Sequence, residues 1–328
     1  MDAMGTTPLL QDHTEQDVRD AIAGAGIVSP HAFIRELDQA YDLNIMLDQW
    51  LRPISESEDL RYAYTCTDGT KRWVLMERLV WDSEFFGRGM ARLNAVLEPG
   101  VPAALRADVT NSIEAVRGAL DEACARGIDY IFCPVSPNDL PTVRVLGACG
   151  FELIETRCHY HRKLVGSPTQ RDAVRLATAN DIPFLALAAQ IMVNPFDRFH
   201  ADPAIPEADA DRLMKRWIEA SINGGFADAT LVPDVDQPEA FCTAKYHREH
   251  WAGWGVKLSQ PVLSAVAPRH KGWYVKIISE LDEHLRSMGA EHSFLVTQIT
   301  NNAVIRSWEK LGYGFGKGEH IFRKLLPD

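Results

Sequence analysis

Cysteine is sparse and never paired in this chain. The six residues (Cys66, Cys124, Cys133, Cys149, Cys158 and Cys242) lie far apart among 328, and none forms a CxxC motif. A zinc knuckle or a dithiol redox site therefore finds no support, and the cysteines read as small buried hydrophobes of a reducing compartment. No apolar run reaches the roughly 18 residues of a membrane span. The opening MDAMGTTPLLQDHTEQD carries acids and no apolar core of a leader, so a cytoplasmic protein is expected. Basic residues are the minority, 34 against 45 acidic, for a net charge of −11. That balance speaks against nucleic-acid partners and an anionic membrane surface, while leaving room for a local basic pocket.

What is there is the composition of a folded protein: 46% hydrophobic and 24% charged residues, at a length that favours two domains over one. Three blocks emerge. Residues 1–60 read as a helical extension, in which Val18 and Ile22 share a face and Phe33, Leu37 and Tyr41 recur at helical spacing. Residues 61–165 open with two alternating runs around Asp68-Gly69, a hairpin signal. A helix from about Ser112 to Arg126 follows, then the apolar strand IDYIFCPV, a short helix ending near Gly147, and a last strand carrying His159, His161 and Arg162 on a solvent face. After the Gly/Ser/Pro-rich stretch VGSPTQRD, residues 170–328 read strand, two helices, three strands, helix, strand, helix, strand. Both blocks contain a glycine-capped helix feeding an apolar strand, so the second block reads as a shortened copy of the third.

The segment VLSAVAPRHKGWY (262–274) carries the sharpest chemistry: a strand ends at Pro268, a basic loop follows, and a helix begins near Gly272. Backbone N–H groups at a helix start, with Arg269, His270 and Lys271 alongside, suit a pyrophosphate; the alternative is a loop that merely links strand to helix. The third block resembles the GCN5-related N-acetyltransferase (GNAT) superfamily, whose phosphate loop reads Q/R-x-x-G-x-G/A. Arg269 and Gly272 match, and Tyr274 departs from the last position. Together with RFHADP at 198–203, VTQITNNAVIRSWEKLGY at 296–313 and WDSEFFG at 81–87, the pattern is similar to amino-sugar acetyltransferases of the dTDP-fucosamine type. The resemblance covers about residues 70–328.

It implies an α/β GNAT fold: a mixed, mainly antiparallel sheet with splayed central strands flanked by helices, preceded by a truncated GNAT-like unit and the helical extension. It also implies acetyl-CoA or another acyl-CoA as co-substrate, no metal, and direct attack of an amine on the thioester. The expected cofactor contacts are Ala265, Val266, Arg269, His270, Lys271, Gly272, Trp273, Tyr274 and Asn301. Backbone N–H groups from Ser264 to Val266 would hold the oxyanion, and the position of the general acid, a Tyr in the resembling enzymes, is here Trp308. For the base, AKYHREHWAGW offers His247, Glu249 and His250, His having the best-placed ordinary pKa. Trp251 and Trp254 flank the same turn, and Arg198, Phe199 and His200 lie where the acceptor would enter. Each also has a plain structural reading, as packing or solvated surface. The expected partner is a small-molecule amine. Rival readings are an acyl carrier protein or aminoacyl-tRNA as donor, or a non-catalytic binding module, and the fold class leads us to expect a homodimer.

Overall fold

The computed structural model describes residues 5–53, 55, 59–102, 108–166, 170–191 and 194–327. The chain begins with β1 (Gly5–Pro8), α1 (Leu9–Asp12), α2 (Glu15–Gly24) and α3 (Gln39–Leu51). Then come β2 (Asp59–Thr65), β3 (Lys71–Arg78), α4 (Val80–Phe86), β4 (Met90–Leu97), α5 (Thr110–Ala125), β5 (Tyr130–Val135), α6 (Leu140–Ala148) and β6 (Glu152–Lys163). The remainder is β7 (Val174–Leu176), α7 (Ile182–Ile191), α8 (Glu207–Asn223), β8 (Ala229–Pro233), β9 (Ala240–Lys245), α9 (Arg248–Trp254), β10 (Leu258–Val266), α10 (Trp273–Ser287), β11 (His292–Gln298), α11 (Asn302–Lys310) and β12 (Gly314–Leu325).

These elements form two compact units that do not follow the chain order of the expected blocks. One comprises Met1–Pro30, Gln39–Thr156 and Gly318–Asp328; the other comprises His31–Asp38 and Arg157–Lys317. Part of the expected linker, residues 167–169, lies outside the described residues.

The first unit has the strand order β1-β2-β3-β4-β5-β12. Its hairpin turns at Gly69, whose φ of 82° suits glycine, and Asp68 accepts the Thr70 N–H at 2.9 Å. All pairings given for this sheet are antiparallel except β4 with β5. α5 and α6 cover one face through Val116, Leu120, Val145 and Leu146, while Val18, Ile22, Leu47 and Leu51 of the extension pack on Trp73, Leu75 and Leu97. The extension thus helps to build this unit. α4 has no buried residue, and Phe85 and Phe86 are half-buried.

The second unit has the order β6-β11-β10-β9-β8-β7, antiparallel except for β10 with β11. Its main core lies beneath α10 and α11, where Ile277, Ile278, Leu281 and Leu285 meet Leu231, Cys242, Leu295 and Tyr313. Val275 is half-buried and Met288 is 36% exposed, so the buried apolar stripe of α10 runs through Ile277, Ile278, Leu281 and Leu285. At the entry to α7, Thr178 forms the capping box with Asp181, and Asp181 also pairs with Arg175 at 2.7 Å. Asp181 is therefore the closing residue of the cap.

Residues His31–Asp38, expected to be helical, run instead as a strap of turns. Glu36 pairs with Lys163 at 2.6 Å, and the Asp38 N–H donates to the Trp254 carbonyl at 2.8 Å. Phe33 lies 6.0 and 5.5 Å from the rings of His159 and His161, so those histidines are half-buried, not a solvent face. Burial, reinforced by the charges of Lys317 and Arg157, lowers the His159 pKa to about 2. Arg162 is likewise engaged, 3.3 Å from Asp282.

Candidate active site

The site begins where two neighbouring strands separate. The parallel ladder between β10 and β11 covers Leu258↔His292 and Ser259↔Ser293, while β10 runs on to Val266 and β11 to Gln298. The break has local causes. Pro261 has no N–H to give a ladder, and β10 shifts register against β9 between Pro261 and Ser264. Within that bulge, the Leu263 N–H donates to Thr243 Oγ1 at 3.0 Å. Burial follows the break: Leu258 and Ser259 are 0% exposed, whereas Gln260, Val262, Leu263, Ser264 and Val266 are half-open. Half-open residues in mid-sheet mark a cleft. The proline inside an otherwise strand-like run was the sequence signal for it.

Next to the cleft, α10 starts at Gly272 with φ 92° and no side-chain cap, leaving its first-turn N–H groups without a side-chain acceptor. Gly272 and Lys271 are exposed, and Trp273 is half-buried beneath the Lys276 ammonium, 5.2 Å from its ring centre. Arg269 is engaged differently from its expected role. It pairs with Glu239 at 2.5 Å and donates to the Gln237 carbonyl at 3.1 Å, which fastens it to the turn before β9. Burial and the neighbouring Arg269 lower the pKa of His270, whose Nδ1 is buried without a partner. Ala265 is 8% exposed beside half-open Val266, so little of the Ala265 side chain faces solvent.

The two residues that depart from the family pattern touch each other. The Trp308 indole N–H donates to Tyr274 Oη at 3.0 Å, and the Tyr274 hydroxyl also hydrogen-bonds the Ser264 side chain. Trp308 is 2% exposed within the α10–α11 core. Its catalytic assignment is therefore corrected to packing and hydrogen-bond donation. Burial pushes the Tyr274 phenol well up, and the bonds from Ser264 and Trp308 act in the opposite direction. Asn301 precedes α11 without capping it; its Nδ2 donates instead to Thr297 Oγ1 at 3.2 Å.

On the opposite sheet face stands His247. Leu295 belongs to the α10–α11 core, so by strand alternation Phe294 faces the other way, and the His247 ring stacks 6.4 Å from it. His247 Nε2 lies 3.4 Å from Gln260 Oε1. Its φ of 56° is the one positive value among described non-glycine residues. Burial lowers its pKa, which keeps it neutral and able to accept a proton at neutral pH. Glu249 and His250 sit in α9 instead of a hairpin turn; Glu249 is exposed, its carboxylate 3.8 Å from His250. His31 of the strap lies 4.8 Å from Phe294 and 5.7 Å from Trp254, a contact that the sequence did not disclose.

Several expected acceptor residues are buried or held by neighbouring groups. Trp254 is 3% exposed, and the Trp251 indole N–H is held by the carbonyls of Tyr246 and Leu258 at 2.9 Å. Phe199 is 5% exposed and packs edge-on against Trp217. His200 is clamped by Asp197 at 2.7 Å and Asp211 at 3.4 Å. Burial works to lower its pKa, but the two aspartates together outweigh this and raise it. Arg198 lies over the Phe199 ring at 4.3 Å and is half-exposed. Among the described residues, no group of three or more His, Cys, Asp or Glu is arranged to hold a metal ion, and no helix is long and apolar enough to cross a membrane.

No protein-family model and no curated protein sequence matches the chain. Solved structures do. A GCN5-related N-acetyltransferase from Sphaerobacter thermophilus aligns with 99% of this chain and 96% of its own, at TM-score 0.58 and 10% identity. A tandem GNAT protein from the clavulanic acid biosynthesis pathway aligns over 99% and 100%, at TM-score 0.52 and 13% identity. A GCN5-related glucosamine N-acetyltransferase region of a fungal multi-domain GH3 β-N-acetylglucosaminidase aligns over 98% of this chain and 38% of that one, at TM-score 0.60 and 10% identity. The architecture is a GNAT fold with parted central strands, and at these identities the likeness is one of fold.

Proposed function

We propose that the second unit transfers an acyl group from an acyl-CoA to the amine of a small molecule, such as an amino sugar or natural-product intermediate. The observation that carries this reading is the parting of β10 from β11 beside the uncapped start of α10. A thioester laid along the open edge of β10 brings its carbonyl to the Ser264–Val266 backbone, where fixed N–H donors stabilise the oxyanion. His247, neutral through burial, removes the proton of the attacking amine from the opposite face. The amino-sugar acceptor is consistent with the glucosamine acetyltransferase among the structural neighbours.

One observation favours a second reading. The Arg269 guanidinium is fastened to Glu239 and Gln237, which weakens the grip on a nucleotide diphosphate. A donor arm borne on an acyl carrier protein has one phosphate to hold and suits such a loop. Calorimetry with acetyl-CoA, together with thiol release from acetyl-CoA and from acyl carrier protein over an amine panel, decides the matter. Heat of binding and thiol release with acetyl-CoA support the first reading, and release from the carrier protein alone supports the second. No binding and no release from either donor, with the protein folded, removes both.

A further inference from the structure

We propose that the strap His31–Asp38 is an acid-released cover over one face of the second unit's sheet, lifting as the histidines beneath it take up protons. This device stands apart from the acyl-transfer reading. Cys158, Tyr160 and Leu295 point into the core under α10 and α11, so by strand alternation His159, His161, His292 and Phe294 share the other face. The β6–β11 pairing sets His161 opposite Phe294 and His159 opposite Val296. Over them the strap lays Phe33, 6.0 and 5.5 Å from the His159 and His161 rings, and His31, 4.8 Å from Phe294. Both ring nitrogens of His159, and Nδ1 of His161 and of His292, are buried with no hydrogen-bond partner. A neutral imidazole tolerates that far better than an imidazolium, whose two N–H groups and charge need water or an acceptor.

Burial is the first cause that keeps all three histidines neutral. Lys317, Arg157 and His31 add to it at His159, and Lys163 and His161 add to it at His292. Glu36 of the strap opposes it at His161 and His292, as does Glu291 at His292, without overcoming it. Both acids are already paired, Glu36 with Lys163 at 2.6 Å and Glu291 with Lys257 at 3.4 Å. The other charged residues of the strap, Arg35 and Asp38, are exposed. Lifting the strap returns the imidazoles to water and to an ordinary pKa of about 6.5, so below that pH opening takes up protons. For His159, held at about 2 while covered, the step from pH 7.5 to 5.5 favours opening about 10-fold, and His161 and His292 act in the same direction. The forces holding the strap down do not change over that range. Ile34 and Leu37 are 0% and 3% exposed, and Glu36, its pKa lowered by the bond from Lys163, stays charged. His247 stacks on the Phe294 ring that His31 covers, so opening also changes the surroundings of the candidate base.

The test is hydrogen exchange of the full chain without ligand, read by mass spectrometry at pH 7.5 and 5.5 and corrected for the intrinsic rate at each pH. The Ile34, Leu37 and Asp38 amides donate to the His31, Ile34 and Trp254 carbonyls and so report on the strap. Their protection should fall about 10-fold or more at the lower pH, while the α10 amides from Ile277 to Leu285 keep theirs. His159→Phe puts a ring that cannot titrate in the same place and should make the fall about 10-fold smaller. His159→Leu should do the same, and thermal melts at pH 7.5 identify which variant is folded. Strap protection equal at the two pH values overturns the proposal. So does a loss that α10 shares, which marks general acid unfolding, and so does a loss undiminished in a folded His159 variant.

Discussion

At the scale of single residues, His247 and His200 show how surroundings divide one residue type between two tasks. His247 holds a left-handed backbone, a conformation costly for a side chain with Cβ and one that persists where neighbours over-determine it. Its imidazole, kept neutral by burial, lies 3.4 Å from Gln260 on the half-open part of β10. We expect His247→Gln to lower kcat/KM about 100-fold. Because burial lowers the His247 pKa, the acid limb of the parent's pH–rate profile should fall below the ordinary histidine value of about 6.5, and that limb should vanish in the variant. His200 is the reverse case: its pKa is raised through Asp197 and Asp211. The stability it contributes is full below about pH 6.5 and is lost as pH rises through the higher folded value. Urea melts of His200→Gln should therefore show a larger loss at pH 5.5 than at pH 9. Equal losses at both would mean that the clamp is a packing contact.

At the scale of elements, the strap His31–Asp38 decides what one face of the second unit's sheet becomes. Phe33 covers His159 and His161, and a Cβ at Gly316 would stand 2.6 Å from the Phe33 ring, so glycine there admits the close approach. Replacing Phe33 by Ala should cost about 1–3 kcal/mol of stability for a partly buried ring. It should also return water to His159, whose pKa should rise from about 2 toward the ordinary range, as imidazole NMR shifts would report. A His159 signal that stays untitrated would place the burial elsewhere.

Elements with local causes were legible in the sequence. The Asp68-Gly69 hairpin, the glycine-closed helices, the loop from Pro268 to Gly272 and the α7–α8 pair follow from turn chemistry and apolar spacing. The strap was not, because Phe33, Leu37 and Tyr41 have helical spacing, whereas the segment folds into turns closed on the His31 and Ile34 carbonyls and is fastened to Lys163 and Trp254. The burial of His159 was illegible as well, since its cover lies more than a hundred residues away. In the cleft, the positions of Tyr274 and Trp308 could be read as departures from a pattern. Their mutual hydrogen bond could not, since nothing in linear spacing reports which side chains of two separate helices meet.

At the scale of the whole molecule, sequence order and compact order disagree, and folding should feel it. In the second unit, β11 pairs with β6 from Lys163↔His292 to Arg157↔Gln298, so its sheet needs a strand that precedes the linker. In the first unit, β5 pairs with β12 from Tyr130↔Leu325 to Val135↔His320, so that sheet needs the final strand of the chain. A fragment 170–328 keeps α10, α11 and the cleft loop yet loses β6, the strap and the partner of β12. It is left with an unpaired β11 edge and an orphan strand, both templates for aggregation. A fragment 1–166 loses β12, and with it Phe322 from its core. We expect each fragment alone to be insoluble or to melt without a cooperative transition, and the two co-expressed as separate chains to form a soluble one-to-one complex with a single transition. Sedimentation and calorimetry read both outcomes. A soluble, cooperatively melting 170–328 fragment would mean that the second unit closes its own sheet, and that the exchanged strands add stability without specifying the fold.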